Sequence, residues 1–163
     1  NEIPLEDPLV FKNIYAKGKT SSVFQCASRG MQDALRKVNA STMEDLIAVV
    51  SLYRPGPLEY IDTYAEGKMN PAAVQYVDPI VKKHLEVTYS IMVYQEQAMF
   101  LARDMANFSW AEVDKLRKAI SKKSGKDFDE ACADAKKSQE LGFDAELFAI
   151  NHPGGTIGKT LNK

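Results

Sequence analysis

Along most of the chain, apolar residues recur every three or four positions, the spacing of helices that bury one face. Asp7-Pro8 is an N-cap followed by proline at the first helical position, and predicts a helix over residues 9–16 that ends near Gly18. Ser28 caps a second helix reaching about Val38. Ser41-Thr42-Met43-Glu44 reads as a capping box, serine and glutamate satisfying each other's free backbone donors, and opens a helix over 43–53. Leu46, Ile47, Val50 and Leu52 are its apolar positions. Arg54-Pro55-Gly56-Pro57 stops that helix and fixes the next turn. A short helix over 58–65 is expected to end at Gly67, and Asn70-Pro71 and Asp78-Pro79 repeat the cap-plus-proline start, the second opening 80–86.

Residues 87–93 are β-branched and aromatic, which suits at most a short β segment. Helix resumes over 94–106. Ser109-Trp110-Ala111-Glu112 is a second capping box for a helix reaching about Ser121, and a last helix over 127–141 stops at Gly142. The pattern predicts a mainly α, irregular multi-helix domain over residues 1–150, followed by a flexible Gly/Pro-rich tail over 151–163.

Composition narrows the picture. At 163 residues, with 45% apolar and 26% charged residues, the chain suits one compact domain or a large piece of one. A net charge of -1 gives no global electrostatic case for nucleic acid, so any such case is local. Cys26 and Cys132 are too few for a disulfide framework and read as reduced thiols of a cytoplasmic protein. No apolar run approaches the roughly 18 residues of a spanning helix, which argues against a membrane. A start at Asn1 rather than Met, with no signal-peptide pattern, reads as a processed or excised piece.

The helix after the second capping box carries the best local chemistry. On a helical wheel Val113, Leu116 and Ile120 form an apolar stripe, Lys115, Lys118 and Lys122 gather opposite, and Arg117 and Lys123 flank the stripe. With Lys126 that makes six basic residues between positions 115 and 126. A solvated helix end would place positive charge against the C-terminal dipole. A polyanion site would use the same charges on a triphosphate or a nucleic-acid backbone, arginine through two parallel donors and lysine as a point charge.

Other candidates are weaker. On the helix over 94–106, Gln95 falls within the arc of Tyr94, Ala98, Met99, Leu101, Ala102 and Met105, so it is expected to be buried and to tie the helix to neighbouring backbone. Glu96 and Gln97 fall outside that arc, and Glu96 lacks an obvious second acid. His84 and His152 have no cysteine or carboxylate at ligand spacing, so no metal site is predicted, and no catalytic residue is marked. Gly155-Thr156-Ile157-Gly158-Lys159-Thr160 ends like a phosphate loop, but Pro153 stands where that motif needs glycine.

Six segments in order resemble one family. They are residues 3–7 (Ile-Pro-Leu-Glu-Asp), Val23-Phe24-Gln25 through Ser28-Arg29-Gly30-Met31, Tyr53-Arg54-Pro55-Gly56-Pro57, Thr88-Tyr89, Val93-Tyr94-Gln95-Glu96-Gln97, and residues 116–123 (Leu-Arg-Lys-Ala-Ile-Ser-Lys-Lys). Together they look like the fingers region of the bacterial or phage replicative DNA polymerase III α subunit, a C-family polymerase, over roughly residues 3 to 140. The resemblance implies nucleotidyl transfer, a 3′-hydroxyl joining the α-phosphate of an incoming dNTP with Mg2+ as cofactor. The acids that hold the metal belong to a Pro-Asp-x-Asp-x-Asp-Phe strand and an Asp-Phe-Leu-Gly strand of the palm. Neither motif occurs here, so the chain alone is expected to be inactive and to bind no metal.

Substrate handling is what the resemblance carries over. It implies that Arg117, Lys118, Lys122 and Lys123 bind the dNTP triphosphate, and that Ser28, Arg29 and Arg54 face the cleft and its template-primer DNA. Further implied partners are the rest of the α subunit and, through regions outside this chain, a sliding clamp. Some positions depart from the family. Lys118 replaces an arginine and loses the fork, Ala27 stands for glutamate, Ser90 and Ser121 stand for glycine, and the tail is at most a remnant of a Gly-Tyr-Gly-Phe-Asn-Lys-Ser-His-Ser segment. Two other readings of the residues stay open: a stand-alone DNA- or nucleotide-binding module without catalysis, and a divergent structural domain.

Overall fold

Asp7 opens the first element in the computed structural model of the chain, which describes residues 4–122, the last four by backbone only. Its Oδ1 accepts from the Leu9 N–H at 2.8 Å, starting α1 (Pro8–Val10). The chain then widens into a π turn over Phe11–Tyr15, where the Ala16 N–H donates to the Phe11 carbonyl at 2.9 Å. Six further helices follow: α2 (Arg29–Val38), α3 (Met43–Leu52), α4 (Tyr60–Met69), α5 (Pro79–Leu85), α6 (Gln95–Ala106) and α7 (Trp110–Lys122). Short 3-10 turns stand at Pro57–Glu59, Pro71–Ala73 and Glu86–Thr88. The expected mainly α fold is present. No described helix is long and apolar enough to cross a membrane. The expected helix over 127–141, the tail over 151–163, Cys132 and His152 lie outside the described residues.

The described residues fall into two compact units. One runs to Tyr76 and takes in Leu85–Val93; the other joins Val77–His84 to the chain from Tyr94 onward. In the first, α2, α3 and α4 pack on one another around Leu35, Ala48, Val49, Leu52 and Tyr64, all nearly inaccessible to solvent. Phe11 and Cys26 join this core, and burial pushes the Cys26 thiol up from its ordinary pKa. In the second unit α6 packs against α7, with Ala102, Val113 and Leu116 as the buried contact and Met99 and Phe108 around it.

Four local expectations change in the structure. The capping box of α3 lies one residue later: Thr42 is the cap, its Oγ1 accepting from the Asp45 N–H at 3.2 Å, while Asp45 Oδ2 accepts from the Thr42 N–H at 3.0 Å. The reason is tertiary, because Lys68 of α4 donates to the same Oδ2 at 2.6 Å. Gly67 does not end α4. It sits inside the helix because Tyr89 lies against it, and a Cβ there would stand 2.5 Å from the Tyr89 Cβ.

The segment after α5 makes no strand. Glu86–Thr88 is a 3-10 turn followed by Tyr89 and Ser90 at positive φ, and Thr88 Oγ1 donates to the Ile91 carbonyl at 2.6 Å inside the turn. That buried hydroxyl, 1% exposed, closes the turn where β-branching suggested extension. Finally, Gln97 rather than Gln95 is the buried amide of α6, because N3 of a helix can reach back over the cap. Its Oε1 accepts from the Tyr94 N–H at 2.9 Å and its Nε2 donates to the His84 carbonyl at 3.3 Å, while Gln95 is exposed.

Candidate functional site

Helix α7 starts as its sequence says it should. The Glu112 N–H donates to Ser109 Oγ at 3.4 Å, and Glu112 Oε2 accepts from both the Ser109 N–H and its hydroxyl at 2.7 Å. These donors, the hydroxyl foremost, hold the Glu112 carboxyl below its usual range. Val113 and Leu116 are then buried against α6, and this fixes which face of α7 is left to solvent.

That open face carries Arg117 and Lys118, and both converge on Asp114. Asp114 Oδ1 accepts from Arg117 Nη2 at 2.7 Å and from Nε at 3.1 Å, while its Oδ2 lies 2.7 Å from Lys118 Nζ. Lys118 first and Arg117 second hold the Asp114 carboxyl below its ordinary pKa. All three side chains keep 41–59% of their surface exposed. Lys115 is exposed and lies near enough to Glu112 to help lower that carboxyl. The side chains of Ile120 and Lys122, and the whole of Lys123 and Lys126, lie outside the described residues.

The start of α7 is braced by a second charge cluster. Arg103 of α6 lies between two rings, its Cζ 5.2 Å from the Phe100 centroid and 5.1 Å from that of Trp110. Asp104 Oδ1 accepts from Arg103 Nε at 2.6 Å, and Oδ2 stands 2.8 Å from His84 Nε2 and 3.1 Å from Lys83 Nζ. Arg103 first, then His84, hold the Asp104 carboxyl far below the usual carboxylate range. His84 also stacks on Phe100, with centroids 5.6 Å apart. His84 is thus committed to a carboxylate and a ring.

Ser28, Arg29 and Arg54 belong to the other unit. The Ser28 hydroxyl is the N-cap of α2, accepting from the Met31 N–H at 3.3 Å, and Arg29 is exposed at the first helical position. Arg54 is exposed in the turn after α3, where its N–H donates to the Leu52 carbonyl at 2.7 Å and its carbonyl accepts from the Leu58 N–H at 3.1 Å. Tyr53 ties these positions together. Its hydroxyl lies over Gly30, so close that a Cβ on residue 30 would sit 2.0 Å away. The glycine beside Arg29 thus admits the tyrosine beside Arg54.

An open hollow of about 710 Å³ adjoins this contact, lined by Gly30, Tyr53, Leu58 and Ile61. The charges on its wall are matched, Arg36 with Asp33 and Lys37 with Asp62, so it has little to offer a polyanion. Among the described residues no group of three His, Cys, Asp or Glu side chains could hold a metal ion.

Residues 1–140 match the family model for the bacterial DNA polymerase III alpha subunit finger domain. The chain belongs to this family. Similar curated proteins are each named DNA polymerase III subunit alpha. That of Treponema pallidum is 43% identical over 145 residues, 88% of this chain and 12% of the relative. That of Halalkalibacterium halodurans is 46% identical over 124 residues, 76% of this chain and 11% of the relative. That of Staphylococcus aureus is 44% identical over 123 residues, 76% of this chain and 12% of the relative. The chain thus spans about an eighth of the length of these relatives. Within the finger domain the basic residues of α7 are plain in the sequence, but their shared counter-ion Asp114 and the partly buried acid Asp104 are not singled out there. The signal for Asp114 is its spacing, three and four residues before Arg117 and Lys118.

Proposed function

We propose that this chain is the fingers portion of a replicative DNA-directed DNA polymerase, acting within a longer α subunit on template-primer DNA and incoming dNTP. In this reading Arg117 and Lys118, continued by Lys122 and Lys123, neutralise the triphosphate and help place its α-phosphate for attack by the primer 3′-hydroxyl. Ser28, Arg29 and Arg54 face the cleft and the DNA. The catalytic acids and the magnesium they hold are assigned to the palm, outside this chain. Membership of the finger-domain family across residues 1–140 carries the reading. The pairing of Arg117 and Lys118 on one anionic group supports the triphosphate role, since two cations that share a carboxylate can share a phosphate.

Primer extension by the full α subunit tests it. Arg117→Ala is expected to raise the KM for dNTP about tenfold or more, the worth of a lost charge-assisted hydrogen bond. Lys115→Ala is expected to raise it less. Equal effects would show that the triphosphate site is misassigned. The surrounding reading frame separates this reading from a stand-alone binding module: an Asp-x-Asp strand motif upstream in frame is expected, and a stop codon just before Asn1 would sink the polymerase reading.

A further inference from the structure

Asp114 deals one carboxylate oxygen to each of the two cations, Oδ1 to Arg117 and Oδ2 to Lys118. All three groups stand on α7 itself, at spacings of three and four residues. The helix is held from behind by Val113 and Leu116, so the arrangement does not depend on the cations for its position. Two consequences follow. The guanidinium and the ammonium are drawn to within the width of one small anion, although each side chain could range widely in solvent. They are also neutralised in part, so an incoming anion must displace or outbid the carboxylate. Exposed pairs of this spacing are individually weak, which makes displacement easy for a highly charged ligand.

We propose that Asp114 is a displaceable placeholder for the phosphate oxygens of the nucleotide: it holds Arg117 and Lys118 together in the empty site and yields them when a triphosphate arrives. The inference rests on the reading of Arg117 and Lys118 as triphosphate ligands. A placeholder of this kind sets a threshold. An anion with little charge or a single oxygen to offer does not repay the loss of the Asp114 contacts, whereas a triphosphate supplies several oxygens and more charge than the carboxylate it replaces. Asp114 is thus a positioning residue that tunes affinity and selectivity.

The test uses primer extension by the full α subunit with Asp114→Asn, which keeps the shape and removes the charge, and Asp114→Ser, which removes the charge in another way. Both are expected to lower the KM for dNTP by about two- to fivefold, the combined worth of two such helix-surface pairs. The change is expected in KM rather than kcat, and the inhibition constant of inorganic tripolyphosphate is expected to fall by a similar factor. Arg117→Ala and Lys118→Ala are measured alongside. If they raise KM while both Asp114 variants leave it unchanged or raise it, the placeholder is overturned and the triphosphate site stands. If Arg117→Ala and Lys118→Ala leave KM unchanged, the triphosphate reading falls and takes the placeholder with it.

Discussion

Asp45 and Asp114 each hold a lysine, and almost everything else about them differs. Asp45 is 2% exposed, and its Oδ2 accepts from Lys68 Nζ at 2.6 Å, the Ser41 N–H at 2.8 Å and the Thr42 N–H at 3.0 Å. Tyr64 Oη donates to its Oδ1 at 3.3 Å. Lys68 in turn donates to the Asn39 carbonyl at 2.7 Å, so one ion pair joins the left-handed C-cap of α2, the N-cap of α3 and the last turn of α4. Among the described residues the ion pairs of Asp114 stay within its own helix, and its side chain is 44% exposed. A carboxylate that ties three elements together cannot let go without loosening the core, whereas one that ties two cations on a single helix can. The first is built for permanence and the second for exchange.

The largest expected effect breaks the permanent member. Asp45→Ala takes the counter-ion from the partly buried Lys68 ammonium, leaves the Ser41 and Thr42 N–H groups without their acceptor, and is expected to destabilise the fold by about 3–5 kcal/mol. Denaturant unfolding checks this. A loss under about 1 kcal/mol would mean that water replaces the carboxylate and that the pair is no different in kind from Asp114. Removing both charges with Asp45→Asn and Lys68→Met together is expected to cost less than Asp45→Ala alone, because no ammonium then loses its counter-ion and the amide oxygen can still accept from backbone.

Acid sharpens the same contrast. Burial alone would raise the Asp45 carboxyl, but the Lys68 hydrogen bond, the Ser41 and Thr42 N–H groups and the Lys68 charge together bring it below its ordinary value of 3.8. A carboxyl lowered on folding adds stability that is full above its unfolded pKa and is lost as pH falls through the folded one. The stability gap between the native chain and Asp45→Asn should therefore stay level from neutral pH down to about pH 5 and close below about pH 4. A gap that instead closed between pH 7 and pH 5 would point to a different titrating group.

These two aspartates also show what a sequence carries and what it leaves to tertiary structure. The caps at Asp7, Ser28, Asp78 and Ser109 are local, each residue serving backbone within three positions of itself, so the helices they open are legible in advance. At residues 41–45 the pattern points to Ser41 and Glu44, and the shift to Thr42 and Asp45 goes with Lys68, 23 residues away from Asp45. The same holds for Gly67, which looks like a helix stop until Tyr89 arrives beside it. In the candidate site the basic residues of α7 stand out by charge. Asp114 has the spacing of a helix-surface partner, but spacing alone does not say that one carboxylate serves two cations. That Gly30 opens room for Tyr53, and so links the neighbours of Arg29 and Arg54, depends on a fold that brings α2 against the end of α3.

The smallest expected effect completes the comparison. Asp114→Asn removes two ion pairs, where Asp33, Asp45 and Asp62 of the first unit make one each, yet it strands no buried charge and opens no cavity. Its cations keep their place on α7, and solvent replaces the lost oxygens. The midpoint of thermal unfolding should therefore stay within about a degree of the native chain, while Asp45→Asn measured beside it falls by several degrees. A matching fall for both variants would show that Asp114 also holds structure together, and a residue the fold depends on would be a poor candidate for one that lets go whenever a nucleotide binds.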